Sequence, residues 1–225
     1  MLTKEMKEII TASKTSGWVL EPDAKRFFSI NGLDIPRFTW ARTLKDAILF
    51  AEEIGYPVVA KIVSPKVIHK SEMRGVAVGI DSDEKLKGAF ERFSRIDGFA
   101  GMLVEEMVTG IEVIVGAKMD YQFGPVILFG MGGTGVEIYR DVALRMAPLA
   151  QKDAESMVMC LKAWPLFEGY RGEEAVNVNK LTRMLMTFSG LVMDLEAEIE
   201  SIDLNPVMCS SARCVVADAR IMLRK

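Results

Sequence analysis

The stretch Gly101–Met131, GMLVEEMVTGIEVIVGAKMDYQFGPVILFGM, decides the fold. It contains three apolar, β-branched runs, GMLVEEMV, IEVIVGAKM and GPVILFGM, separated only by short polar breaks. Runs of this length bounded by turn residues read as three strands in quick succession, the antiparallel part of the fold. Upstream the pattern is different. Thr43 can cap LKDAILFAEEI, where Leu44, Ala47, Ile48, Ala51 and Ile54 recur at helical spacing, and Gly55 ends it. PVVAKIV follows as a strand, then a polar loop, then GVAVGI as a second strand, then a helix over about residues 83–96 capped by Ser82 or Asp83. Before these, Glu21-Pro22-Asp23 opens a helix through AKRFFSI that Asn31-Gly32 stops, and PRFTWA is a short strand. A βαβ-like beginning followed by antiparallel strands gives an α+β, or mixed α/β, architecture. Beyond Gly130, MGGTG is a glycine-rich turn and VEIYRDVALRMAPL reads as a loop or short strand pair. Residues 151–163 and 177–195 read as helices, and the last thirty residues alternate strand and turn.

The chain has 225 residues, half of them hydrophobic, which suits one large domain or two small ones around a sizeable core. With 28 basic and 31 acidic residues and no Lys/Arg run, nothing marks an electrostatic footprint for nucleic acid or anionic lipid. MLTKEMKEII is charged where a signal peptide needs an apolar core, and later apolar segments are broken well short of a membrane span, so a soluble, cytoplasmic protein is expected. Cys160, Cys209 and Cys214 fit no zinc or redox spacing and are expected as buried reduced thiols.

Four places carry candidate chemistry. Lys61 interrupts the apolar run PVVAKIV, so it either snorkels at a sheet edge or points at something anionic. The loop after it, PKVIHKSEMRG, contains His69, the only histidine, with Lys70, Ser71 and Gly75 supplying donors and open backbone of the kind that wraps phosphate. An imidazole nitrogen can attack phosphorus and later leave, which makes a phosphoryl relay through His69 conceivable beside the alternative of a plain surface histidine. Glu105, Glu106 and Glu112 sit in apolar strands, either on a solvated face or facing a ribose or adenine, with the backbone of Met107 and Val108 free to read a base edge. In SIDLNPV, Asp203 and Asn205 are two apart and share one side of a strand, and a hairpin would return Asp218 beside them. Such an oxygen set suits Mg²⁺, although an Asx-Pro turn explains DLNP equally.

These motifs in this order, GYPVVAKIVSP, IHKSEMRGV, LVEEMVTGIEVIVGAKMDYQFGPVILFGMGG, GYRG and SIDLNPV…ADARI, resemble the ATP-grasp β subunit of ADP-forming acetyl-CoA and other acyl-CoA synthetases, relatives of succinyl-CoA synthetase. The resemblance spans about residues 12–223. It implies a single ATP-grasp domain over 1–225, with two α+β subdomains, about 20–105 and 106–225, clasping a nucleotide. It also implies a separate CoA-binding α subunit, an α2β2 assembly, and ATP or ADP with Mg²⁺ as cofactors. In such enzymes an acyl-CoA and phosphate give an acyl phosphate, a histidine of the α subunit takes the phosphoryl group, and ADP finally receives it. The β-subunit loop histidine carries the group between sites, and His69 matches it. Lys61 matches the phosphate-binding lysine, with Ser71 and Gly75 beside it in the loop. Glu105, Met107 and Val108 match the adenine hinge, Glu112 the ribose acid, and Asn205 and Asp218 the magnesium ligands, with Asp203 a third. Arg74 stands where the family has the first of two glycines, and GMGGTGVE is richer in glycine than the family pattern. Two other readings are a regulatory ATP-grasp domain of the kind found in protein acetyltransferases, which typically lack the loop histidine, and an ATP-grasp carboxylate ligase, which has no need of it.

Overall fold

A computed structural model describes residues 1–68, 70, 72–133, 141–172 and 174–224. His69 and Ser71 lie outside the described residues. Two compact units emerge: the larger comprises Met1–Ile35 and Thr109–Lys225, the smaller Pro36–Val108.

The smaller unit is a four-stranded antiparallel sheet in the order β2 (Phe38–Ala41), β5 (Gly101–Glu106), β3 (Val58–Val63), β4 (Val76–Ile80). Helices α3 (Leu44–Ile54) and α4 (Asp83–Ser94) pack against it. Their starts are fixed by the expected caps: the Thr43 hydroxyl accepts from the Asp46 N–H and the Ser82 hydroxyl from the Lys85 N–H. Ala47, Ala51, Leu86, Ala89 and Phe93 meet Val58, Ala60, Ile62, Met102 and Val104 in one core. Even-numbered residues of β3 and β5 therefore face the helices, and odd-numbered ones face the other way.

The larger unit is built on a seven-stranded antiparallel sheet. Its path runs β1 (Trp18–Val19), β11 (Ala219–Leu223), β9 (Ile199–Cys209), β6 (Ile111–Asp120), β7 (Gly124–Met131), β8 (Val142–Met146), with β10 (Cys214–Val216) also paired to β9. Helices α1 (Lys4–Ser13) and α2 (Glu21–Ile30) lie near β1 and β11, while α5 (Gln151–Met159) and α7 (Val178–Asp194) pack on β6, β7 and β8. Along α7, Leu181, Met184, Leu185, Phe188, Leu191 and Val192 form the buried stripe that meets Val113, Val115, Ile127 and Phe129.

Residues 20–35, expected with the N-terminal subdomain, belong to the larger unit because β1 pairs with β11 and α2 packs on that strand. The helix expected over 151–163 ends at Met159: the Asp141 carboxylate takes the N–H groups of Lys162 and Ala163, and a separate turn, α6 (Trp164–Phe167), begins with proline in its first turn. All three cysteines are free, but Cys160 is exposed, because it caps the end of α5, where its thiol donates to the Met157 carbonyl. Among the described residues no helix is long and apolar enough to cross a membrane.

Candidate functional site

In the smaller unit Lys61 is an interior residue of the sheet, because β3 lies between β5 and β4. Register explains its partner. Lys61 stands opposite Leu103 and Val59 opposite Glu105, so Lys61 and Glu105 are diagonal neighbours on the face turned away from the helices. The Lys61 Nζ lies 2.8 Å from Glu105 Oε1, with the side chains only 6% and 3% exposed. The snorkelling alternative is thereby removed: this lysine points at an anion, and the anion is one of the candidate hinge glutamates. Glu106 is half-buried, its N–H donating to the Arg37 carbonyl at 2.9 Å, while Met107 is exposed and Val108 half-buried.

The loop after β3 is fastened at its Gly75 end. The Gly75 N–H donates to the Lys70 carbonyl at 2.7 Å, and the Ile62 N–H donates to the Gly75 carbonyl at 2.8 Å. A Cβ at residue 75 would stand 2.5 Å from Ile62 Cγ2, so glycine is required here by close approach to β3. Arg74 has φ +51°, the left-handed region that favours glycine. The family's glycine at this position therefore has a backbone reason, and arginine holds the same conformation at a cost of about 1–2 kcal/mol.

In the larger unit the β6–β9 register shifts, with Val113 facing Val207 but Val115 facing Leu204. Asn205 and Pro206 together thus oppose Ile114, a β-bulge of the kind that re-aims side chains beside functional sites. The β10–β11 connection closes on this bulge. The Asn205 N–H donates to the Asp218 carbonyl at 3.2 Å, and the N–H groups of Ala217 and Asp218 donate to the Pro206 carbonyl at 3.0 and 3.3 Å. Asn205 and Asp218 are brought together as the hairpin spacing required.

Asp203 stands opposite Arg220, whose Nη2 donates to Asp203 Oδ2 at 3.0 Å. Its charge is offset within the sheet by that guanidinium. Sequence reasoning missed Arg220, although it stands two residues after Asp218 and its antiparallel partner is readable once that hairpin is drawn. Among the described residues no cluster of three or more His, Cys, Asp and Glu side chains could hold a metal by itself. Asn205 and Asp218 nonetheless offer two oxygen donors, a set that fits Mg²⁺ when phosphate and water complete the shell.

Glu112 is exposed on the sheet face opposite the helix-packed core, the face that also holds Asp203 across from Gly116. Gly132 lies against it: the Gly132 N–H donates to the Glu112 carbonyl at 2.7 Å, and a Cβ on Gly132 would meet the Glu112 carbonyl carbon at 2.8 Å. Gly132 is therefore a packing requirement at Glu112.

A family model described as an ATP-grasp domain matches residues 11–223. The β subunit of acetate–CoA ligase (ADP-forming) I of Pyrococcus furiosus is 39% identical over 96% of this chain and 97% of that relative. An acetyl-coenzyme A synthetase structure from Candidatus Korarchaeum cryptofilum, in complex with coenzyme A and Ca-AMPCP, superposes with a TM-score of 0.90 at 38% identity, covering 97% of this chain and 99% of that one. A second structure of that enzyme, with coenzyme A and Mg-AMPPCP and its phosphohistidine segment pointing towards the nucleotide binding site, gives a TM-score of 0.85 at 38% identity over 97% of this chain and all of that one. The chain belongs to the ATP-grasp family and, within it, to the β subunits of ADP-forming acetate–CoA ligases.

Proposed function

We propose that this chain is the nucleotide-binding β subunit of an ADP-forming acyl-CoA synthetase, and that it moves a phosphoryl group between His69 and ADP. The observation that carries the reading is its likeness, along almost the full length of both chains, to an acetate–CoA ligase β subunit, with Lys61, His69, Asn205 and Asp218 all present. A CoA-binding α subunit supplies the acyl chemistry, and the assembly is α2β2.

The residue roles follow from their chemistry. Met107 and Val108 present backbone groups to the adenine edge, and Glu112 accepts from the ribose hydroxyls. The Lys61 ammonium has three protons, so it can keep its contact with Glu105 while donating to a nucleotide phosphate. Ser71 and Gly75 hold the loop against phosphate oxygens. Asn205 and Asp218 would hold Mg²⁺, which offsets phosphate charge when bound, with Asp203, paired to Arg220, the third oxygen donor of the set. A neutral His69 nitrogen attacks the phosphorus of the α-subunit phosphohistidine, so that one P–N bond forms as the other breaks and the α-subunit imidazole leaves with its electron pair. Transfer then forms a bond from a β-phosphate oxygen of ADP to phosphorus and breaks the P–N bond, returning the imidazole with its electron pair.

The test is phosphoamino-acid analysis of the α/β complex incubated with labelled ATP and Mg²⁺, in wild type and His69→Asn. Acid-labile label at His69, and loss of ATP synthesis from acyl-CoA, phosphate and ADP in the variant with nucleotide affinity retained, are expected. ATP synthesis by the His69→Asn complex at an undiminished rate would overturn the proposal, as would full activity of the β chain alone.

A further inference from the structure

Cys209, at the end of β9, and Cys214, at the start of β10, are direct partners in an antiparallel register. The neighbouring pair is joined by the Ser210 N–H donating to the Arg213 carbonyl at 2.8 Å, and the Val216 N–H points away from β9, donating to the Asp34 carbonyl at 2.8 Å. Hydrogen-bonded and non-hydrogen-bonded pairs alternate along such a ladder, so Cys209 and Cys214 occupy a non-hydrogen-bonded pair, where opposite side chains come closest. The Cα separation of such pairs, about 4.5 Å, falls within the range a disulfide spans. Both side chains are buried, at 0% and 5% exposure, and Cys209 belongs to the wall of a cavity of about 670 Å³ lined also by Thr109, Ile111, Tyr170, Arg171 and Ser210.

We propose that Cys209 and Cys214 form a redox-active dithiol that closes to an intramolecular disulfide on exposure to a peroxide and reopens with a dithiol reductant. The Cys209 thiol hydrogen-bonds to the Cys214 sulfur, and this contact first of all holds Cys214 below and Cys209 above the ordinary thiol range; Lys180 favours the Cys214 thiolate as well. Cys214 is thus the attacking sulfur. It bonds to one peroxide oxygen as the O–O bond breaks and the other oxygen leaves as water, giving a sulfenic acid. Cys209 then attacks that sulfur, the S–S bond forms, the S–O bond breaks, and a second water leaves with the Cys209 proton. Two thiols lose two electrons in all, and the peroxide is reduced to water. The bridge would tie β9 to β10 in the hairpin that begins just after Asn205 and ends just before Asp218.

The experiment treats the whole chain with hydrogen peroxide, blocks remaining thiols under denaturing conditions, and maps peptides without reduction. A Cys209–Cys214 cross-linked peptide, reversed by dithiothreitol and unchanged in Cys160→Ser, is expected. In Cys214→Ser, Cys209 should remain alkylatable at peroxide doses about tenfold higher than those that consume it in wild type. Oxidation confined to exposed Cys160, independent sulfinic acids at the two positions, or bridges only between chains would overturn the proposal. Should Cys214→Ser fail to fold, the wild-type peptide map decides alone.

Discussion

Replacing Lys61 by methionine tests the centre of the smaller unit. At 2.8 Å the attraction between Lys61 and Glu105 amounts to about 6 kcal/mol at an effective dielectric of about 20. Taking both groups out of water costs several kcal/mol for each ion, so the intact pair is close to neutral for stability. The single variant upsets that balance. Methionine fills the lysine's volume but leaves the Glu105 carboxylate buried without this ammonium, and the expected loss is about 3–5 kcal/mol. Against a total stability of about 5–15 kcal/mol, that is a fifth or more. Lys61→Met/Glu105→Leu removes both charges and should return to within about 1–2 kcal/mol of wild type. Urea unfolding supplies the free energies, and amide exchange in β3 and β5 localises the effect. A loss below about 1 kcal/mol in Lys61→Met, or a double variant as unstable as the sum of the singles, would refute the argument that these charges depend on each other.

Arg74, at φ +51°, gives a second comparison: Arg74→Gly should be more stable than Arg74→Ala by about 1 kcal/mol in urea unfolding, since only glycine relaxes there. Equal stabilities would remove the strain. Asp218→Asn should weaken nucleotide binding in Mg²⁺ by about tenfold while leaving binding in EDTA unchanged, a difference that paired titrations measure directly. Tyr56 supplies a pH effect. Burial first, and then its hydrogen bond to Asp83 at 2.6 Å, raise the hydroxyl above the ordinary tyrosine range. A raised folded-state value stabilises below the unfolded value and is lost as pH climbs through the folded one, so Tyr56→Phe should flatten the alkaline fall in stability and abolish the last step of the tyrosine absorbance titration.

The elements legible in the sequence are those whose causes are local. Thr43 and Ser82 announce α3 and α4, because a cap hydroxyl acts within three residues, and the runs of Gly101–Met131 become β5, β6 and β7 because each is long enough to be apolar on its own account. Strand β1 had no such signature. Trp18 and Val19 are strand only because they pair with Met222 and Ile221 near the other end of the chain. Helix α1 was missed differently, since its charged start was weighed only as a possible targeting segment, although Thr3 is an ordinary cap and Met6, Ile10 and Ser13 its buried face.

The candidate residues divide along the same line. Asn205 and Asp218 were readable as neighbours because one short hairpin joins them, and the backbone bond between them follows from that hairpin. The partners of Lys61 and Asp203 depend instead on register between strands. On β3 and β5, sliding the pairing by one residue would turn Glu105 onto the helix-packed face in place of Val104 and leave Lys61 without its diagonal carboxylate. The charged pair therefore penalises that slip by the cost of an unmatched buried ion, a restraint comparable to the loss of one large buried apolar side chain. Lys61 and Glu105 thus fix the pairing that carries Met107 and Val108, the residues proposed for the adenine hinge, at the end of β5, and the two residues serve the fold at the positions where nucleotide chemistry is proposed.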